Sequence, residues 1–411
     1  MTDAIRMDDG AKELVGILHA AGYKAYAVGG CVRDSLLGLV PHDWDLCSSA
    51  APERVIKLFG EKKCIPTGLQ HGTVTVKQNG KLYEVTTFRT ENAYTDGRHP
   101  DSVDFVPDVE TDLARRDFTI NAMAYNEEEG LIDPFGGRTD LKNGVVRAVG
   151  EPNRRFEEDA LRIMRLYRFA ARFGFEIDAA TDTAARALCS RLDCVSAERI
   201  LDELTRLLMA QKPGKWLVPE VFNVILPELE PLAKPECFAK LKQAVDSVPA
   251  GEEGFAARVA VLLSAADENS ARQALHRLRC SNALLDEVTV LLKERSFCSA
   301  SERNALRLQA RRLLGRLEPP TLQRLVWLCC ALCPEQSSGF EALWNEAAEL
   351  IKENACCRIK QLAVNGHDLI AVGVRQGPEL RSLLSELLEL VITEQLPNER
   401  EALLREAKRR T

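Results

Sequence analysis

The 411-residue sequence has no apolar run near the ~18 residues that a membrane-spanning helix needs, and its opening MTDAIRMDDG carries no signal-peptide pattern. It has no excess of basic charge. Lys and Arg total 54 against 61 Asp and Glu, giving a formal net charge of -7 and a pI near 5.6. A wholly basic nucleic-acid coat protein is thereby excluded, although a local basic surface is not. Histidine is scarce, with 6 residues in all. Fixed-period repeats and low-complexity tracts are absent. The 13 cysteines are odd in number and scattered, which points to reduced thiols in a cytosol. Cys330 and Cys333 form one CxxC in WLCCALC, but no second CxxC or paired histidines follow, so the segment reads as helical thiols rather than a zinc site. Hydrophobic residues at 45% and charged residues at 28% exclude a largely disordered chain. At about 100–200 residues per domain, two to four domains are expected.

What is present divides into two textures. The first ~150 residues hold most of the Gly turns and β-branched runs and read as α+β. A helix is expected over residues 10–21, a strand from Lys24 to Val28 running into Gly29-Gly30, a short helix from Cys31 to Leu37 and a strand from Asp43 to Cys47. Pro52 opens a helix that Gly60 closes. Asn79-Gly80 joins two alternating runs, Thr73 to Gln78 and Lys81 to Arg89, as a hairpin. From about Phe156 onward the periodicity is helical, with helices expected at Leu161–Phe173, Ala197–Ala210, Phe255–Ala265, Arg303–Leu317, Thr321–Leu332, Gly339–Lys352 and Pro378–Thr393.

The sharpest chemical pattern is VGGCVRD followed by HDWDL. Glycines between a strand and a helix let backbone amides approach an anion, so Gly29 and Gly30 suit a phosphate, with Arg33 close enough to reach it. On an extended chain Asp43 and Asp45 project from one face, while Trp44 and Leu46 turn to the core. Two such carboxylates suit a hard cation such as Mg²⁺. Glu84 on the hairpin is a candidate third carboxylate. A triphosphate cradle beside paired carboxylates is the layout of two-metal phosphoryl transfer. Taken alone, each element has a plainer reading, a tight turn or a solvated strand face. RRDFTINAMA could likewise be a capped helix start, and DPFGG a simple loop.

Asp159 and Arg162 are three apart on an expected helix and therefore neighbours, which allows a simple ion pair. They also match a specific recognition problem. Cytosine and adenine present an exocyclic amine beside a ring-nitrogen acceptor. A carboxylate accepts from the first and a guanidinium donates to the second, whereas guanine and uracil present the opposite order.

In this order, VGGCVRD, HDWDL, RRDFTINAMA, DPFGG and EDALRIMRLYRFAARFGF resemble the motif series of class II (bacterial) CCA-adding tRNA nucleotidyltransferases and their poly(A) polymerase relatives. RILDELTRLL, from Arg199 to Leu208, is similar to the motif that follows, and the segment beginning VNGHDLIAVGVRQ also resembles bacterial members. The resemblance implies a seahorse-like fold, with an α+β polymerase-β-type nucleotidyltransferase head over 1–150, a helical neck with a nucleotide-reading helix over 151–213, a helical body over 214–318 and a helical, tRNA-binding tail over 319–411. It implies that Asp43 and Asp45 hold Mg²⁺, with Glu84 as the third catalytic carboxylate. Gly30, Arg33 and Arg116 would contact the incoming nucleotide, Asp159 and Arg162 would read the base, and Arg165 and Arg168 would hold the triphosphate. The partners implied are CTP, ATP and the acceptor and T arms of tRNA, with no membrane. Arg303, Arg307 and Arg311, with Arg312 and Arg316, are either part of that RNA grip or a solvated helix face.

The activity implied is template-independent addition of C, C and A to the tRNA 3′ end, releasing pyrophosphate. Three alternatives are a poly(A) polymerase, a partial enzyme adding only CC, and a non-catalytic RNA-binding relative. The Asp43/Asp45 pair argues against the last. The full-length segment from Arg89 to Val103 argues against the CC-only enzyme, and the lack of an Arg/Lys-rich insertion after the neck argues against the polymerase. His42 stands where many relatives carry a small or polar residue. His42-Asp43 alone does not make a His-Asp phosphohydrolase, because such a site needs further histidines.

Overall fold

The computed structural model describes residues 5–91, 103–232, 234–296 and 302–410. The chain forms two compact units, Met1–Pro227 and Glu228–Thr411. The boundaries expected at 150, 213 and 318 fall inside them.

The first unit is built on a seven-stranded sheet in the order β3-β4-β5-β2-β1-β8-β9. The strands are β1 (Ala25–Val28), β2 (Leu46–Ser48), β3 (Cys64–Gly68), β4 (Thr73–Gln78), β5 (Lys81–Thr87), β8 (Ala124–Asn126) and β9 (Gly130–Ile132). A separate ribbon pairs β6 (Arg89–Glu91) with β7 (Val103–Phe105). The segment between them, 92–102, holds most of the expected full-length loop and lies outside the described residues. Within the seven-stranded sheet β2 and β5 run parallel, and the other neighbours are antiparallel. Asn79 and Gly80 both take positive φ, 51° and 81°, as a two-residue hairpin with the native strand twist requires. Tyr26, Val28, Cys47, Phe88, Ala122 and Ala124 form the core under the sheet.

The helices of this unit are α1 (Asp9–Ala20), α2 (Gly30–Leu36), α3 (Pro52–Phe59), α4 (Val109–Ala114), α5 (Gly137–Asn143), α6 (Pro152–Glu158), α7 (Leu161–Phe173), α8 (Ala179–Ala187), α9 (Ala197–Leu208) and α10 (Pro219–Ile225). Helix α7 packs on α9, which buries Ile200, Leu204, Leu207 and Leu208 along one face. This is the 3.6-residue stripe the sequence shows.

Among its described residues the second unit is helical: α11 (Pro235–Ser247), α12 (Glu252–Leu262), α13 (Glu268–Arg277), α14 (Asn282–Glu294), α15 (Arg303–Arg316), α16 (Pro319–Leu332), α17 (Ser337–Lys352), α18 (Gly366–Ala371), α19 (Pro378–Ile392) and α20 (Arg400–Arg410). The α15 arginines are each paired, although Arg303, Arg312 and Arg316 stay more than half exposed. Arg303 Nε donates to Glu346 at 2.8 Å, Arg307 meets Glu346 and Glu353, Arg312 meets Glu389, and Arg311 Nη1 donates to the Ile392 carbonyl at 2.8 Å. These side chains fasten α15 to α17 and α19.

Candidate active site

The site begins where β1 ends. Gly29 takes φ +78° and turns the chain into α2, a conformation that side chains with a Cβ resist. The turn is also crowded. A Cβ at Gly29 would stand 2.9 Å from Arg116 Nη1, and one at Gly30 would stand 3.7 Å from Arg33 Nη2. Two guanidinium groups therefore flank the glycine turn.

The strand expected at Asp43–Cys47 is corrected by the structure, because the paired ladder starts at Leu46. Ala27 pairs with Leu46, and the Val28 N–H donates to the Asp45 carbonyl at 2.9 Å. Beyond that point Gly29 turns away, so residues 43 and 44 have no β1 residue opposite them. The side-chain alternation persists nonetheless: Asp43 and Asp45 are exposed, and Trp44 and Leu46 are buried.

Register brings in Glu84. Leu46 lies beside Val85 on parallel strands, and both are buried. One residue earlier, Asp45 and Glu84 therefore project together from the opposite face. The Asp45 carboxyl is held above its ordinary pKa, first by desolvation in the recess and then by the charge of Glu84, with Asp43 adding to the rise and Arg116 opposing it. Asp45 still reaches solvent, so this is a crowded acidic rim rather than a sealed core. Among the described residues no group of three or more His, Cys, Asp or Glu side chains forms a ready-made ligand cage. This donor set still fits a hard divalent cation. Mg²⁺ is commonly held by one or two carboxylates and completes its shell with water and substrate phosphate oxygens.

RRDFTINAMA is not a helix start. Arg115 and Arg116 follow the end of α4, and Thr119–Asn121 make a single 3₁₀ turn. Arg116 Nε is buried with no hydrogen-bond partner, and its Nη2 makes only a 3.5 Å contact with Asp112. DPFGG closes on itself through Asp133, which accepts from the Gly137 and Arg138 N–H groups at 2.7 and 2.9 Å.

The other expected nucleotide-binding residues lie on or beside α7. Arg33 points inward, donates from Nε to Asp34 at 2.8 Å, pairs with Asn121 Oδ1, and lies over the rings of Phe169 and Phe173. Asn121 Nδ2 donates to Asp117 at 3.0 Å, and Asp117 also receives Arg165 Nε at 2.8 Å. Arg165 and Arg168 both face Glu203 of α9. Burial by itself would raise the Asp117 carboxyl, but Arg165, Asn121 and Arg162 hold it well below the ordinary carboxylate range. Burial lowers the Arg168 guanidinium to about 10 despite Glu203. Arg33, Arg165 and Arg168 are thus engaged with protein carboxylates or amides rather than open.

The simple ion pair between Asp159 and Arg162 does not form. Asp159 accepts the Leu161 N–H at 3.1 Å and Arg199 Nη2 at 2.7 Å. Arg162 Nη1 donates to Glu158 at 2.8 Å and to the Arg155 carbonyl at 3.1 Å, and Nη2 donates to the Arg115 carbonyl at 3.1 Å. That last bond sets α7 beside Arg116 at the C-terminal end of α4, where free carbonyls favour cations. Asp117, Asn121, Glu158 and Glu203 were not singled out from the sequence, although each lies inside a motif block quoted for other residues.

Residues 25–147 match the family described as Poly A polymerase head domain, 174–232 the probable RNA and SrmB-binding site of polymerase A, and 252–407 the putative tRNA nucleotidyltransferase domain 2. The chain is 36% identical to the CCA-adding enzyme of Lactiplantibacillus plantarum, across 96% of this chain and 94% of that protein. It is 37% identical to that of Streptococcus mutans, across 94% and 93%. Among solved structures it is similar to the Bacillus stearothermophilus CCA-adding enzyme in complex with CTP, with a TM-score of 0.78, 31% identity and 98% of both chains covered. The Thermotoga maritima CCA-adding enzyme shares the fold at a TM-score of 0.71 and 23% identity, with 98% of this chain and 96% of that chain covered. With an α+β nucleotidyltransferase head continued by helices, and relatives at 36–37% identity along nearly its whole length, this chain belongs to the family of CCA-adding enzymes.

Proposed function

We infer that this protein adds C, C and A in turn to the 3′ end of tRNA, using CTP and ATP and releasing pyrophosphate. The observation that carries this reading is the outward projection of Asp45, the residue just before β2, beside Glu84 of its parallel neighbour β5, next to the Gly29-Gly30 turn and Arg116. In each cycle the 3′-oxygen of the RNA bonds to the α-phosphorus of the nucleotide, and the bond from that phosphorus to the pyrophosphate oxygen breaks. A divalent cation at Asp43 and Asp45, Mg²⁺ in this reading, would neutralise phosphate charge and lower the pKa of the attacking hydroxyl.

The chain's own residues bind and select. The glycine turn admits a phosphate close to the backbone, and Arg116 offers the unpartnered Nε–H beside it. Arg33, Arg165 and Arg168 supply positive charge behind the turn, positioned by Asn121, Asp117 and Glu203. Base choice falls to Asp159 and Arg162. An ionised carboxylate has about four acceptor positions, so Asp159 can hold Leu161 and Arg199 and still accept from an exocyclic amine. Arg162 commits three of its five N–H donors to protein, which leaves two for a ring nitrogen. The helices of the second unit take the acceptor and T arms of tRNA, and the reaction takes place in the cytoplasm.

The test uses tRNA ending at the discriminator base, with CTP and ATP supplied separately and together. Addition of C, C and a single A is expected. Asp43→Ala and Asp45→Ala should each abolish all three additions while leaving tRNA binding nearly intact. Long A tracts from ATP alone would overturn the assignment in favour of a poly(A) polymerase.

A further inference from the structure

The second unit contains a cavity of ≈ 850 Å³ between α11, α16 and α17, made wholly of its own residues. That volume lies in the range of small-molecule sites, roughly 300–1,000 Å³. Two of the four tryptophans of the chain, Trp327 and Trp344, line it, and each is half-buried. Neither indole N–H has a hydrogen-bond partner among the described residues. The same holds for the side chains of Lys240, Gln243 and Asn345, which are exposed along the wall. A cavity with two indole side chains and two carboxamides in its lining has the chemistry of a site for a planar heterocycle, with aromatic surface for stacking and both donors and acceptors for a polar rim.

Charge narrows the class. Glu335 and Glu341 also line the cavity, and against them stands the single cation Lys240. This lining carries net negative charge, so it disfavours a polyphosphate. The carboxylates are acceptors for an exocyclic amine. We propose that this cavity binds a single amine-bearing nucleobase without its triphosphate, stacked against Trp327 and Trp344. The base is brought either by a free nucleoside or by an unpaired residue of an RNA. The site is separate from the nucleotide site proposed in the first unit, and its lining supports it even if that catalytic reading fails.

The full-length protein is dialysed to equilibrium against labelled adenosine, with uridine and ATP as comparisons. Saturable binding of adenosine that exceeds that of uridine is expected. Trp327→Ala and Trp344→Ala should each weaken it by roughly tenfold or more, in keeping with the cost of removing an aromatic stacking partner. Because these tryptophans are half-buried, Gln243→Ala and Asn345→Ala provide exposed variants that should also weaken binding at an unchanged melting temperature. In Asp159→Ala, which removes the proposed adenine reader of the first unit, the share of adenosine binding that these four variants weaken should remain. Displacement of adenosine by tRNA would assign the base to RNA, and persistence in its presence would assign it to a free nucleoside. The proposal is overturned if no nucleoside binds saturably, or if adenosine binding survives all four variants in the second unit.

Discussion

Arg199 Nη2, on α9, donates at 2.7 Å to Oδ2 of Asp159, which is extended between α6 and α7 and so lies outside the helix expected to carry it with Arg162, while Arg162 turns away to Glu158. The carboxylate proposed to read the base is therefore aimed by an arginine 40 positions along the chain rather than by Arg162, three residues away. Both partners are largely enclosed, with side-chain exposures of 21% for Arg199 and 15% for Asp159.

Removing that arginine tests its role as a positioning residue. A hydrogen bond to a charged group contributes about 1.5–3 kcal/mol, so Arg199→Ala should lower kcat/KM for both CTP and ATP by roughly ten- to hundredfold. Arg199→Lys should restore part of it. Single-turnover rates with each nucleotide, measured beside the melting temperature, check this. An early-melting variant with parental kcat/KM would leave Arg199 a purely structural role.

Asp159→Asn gives a directional test of base reading. The amide keeps one acceptor oxygen for the Leu161 N–H and replaces the other with an N–H₂ donor. A base amine then meets a donor, while a base carbonyl meets a partner. Discrimination against UTP and GTP should fall by about 1–3 kcal/mol, roughly ten- to hundredfold. Rates with all four nucleotides measure it. Unchanged rejection of UTP would remove Asp159 from the selection step.

Asp117 should make stability fall in acid. Its folded-state pKa lies below the ordinary carboxylate value of 3.8, because Arg165 and Asn121 outweigh burial. A depressed carboxylate contributes stability that is present above the unfolded-state value and is lost as pH falls through the folded-state value. Denaturant midpoints recorded from pH 7 down to about pH 2 should therefore drop below about pH 4 in the parent. They should drop less steeply in Asp117→Asn. At neutral pH that variant should be less stable by about 1.5–3 kcal/mol, since the half-buried Arg165 loses a charged acceptor while keeping its weaker contact with Glu203.

The α15 arginines should matter to stability and not to RNA affinity. Arg303 and Arg307 are committed to Glu346 on α17, and Glu346 is 8% exposed. Replacing both with alanine should lower the melting temperature, while the slope of log affinity against log salt for tRNA stays within experimental error. A phosphate contact would reduce that slope by about one per residue lost.

The α+β character of the first ~150 residues, the Asn79-Gly80 hairpin, the Pro52-to-Gly60 helix and the residues of α7 follow from local physics: turn chemistry, capping and the 2.0 and 3.6 periodicities. The outward pair Asp43 and Asp45 is legible for the same reason, because alternation along an extended chain needs no partner. Several polar helices are not legible, α13 and α20 among them. Polar and charged residues dominate these short segments, and the few apolar residues that dock them become evident only against their neighbours.

Partnership is what the sequence by itself could not decide. An arginine reaches far and carries five donors, so sequence spacing names many possible acceptors and cannot rank them. Tertiary packing makes the choice. It sends Arg162 to Glu158, Asp159 to Arg199, and the α15 arginines to carboxylates on other helices. The register of two parallel strands, set by the burial of Leu46 beside Val85, then brings Glu84 next to Asp45. The identity of the groups was written in the order of residues. Which of them meet was settled by which apolar faces had to leave water together.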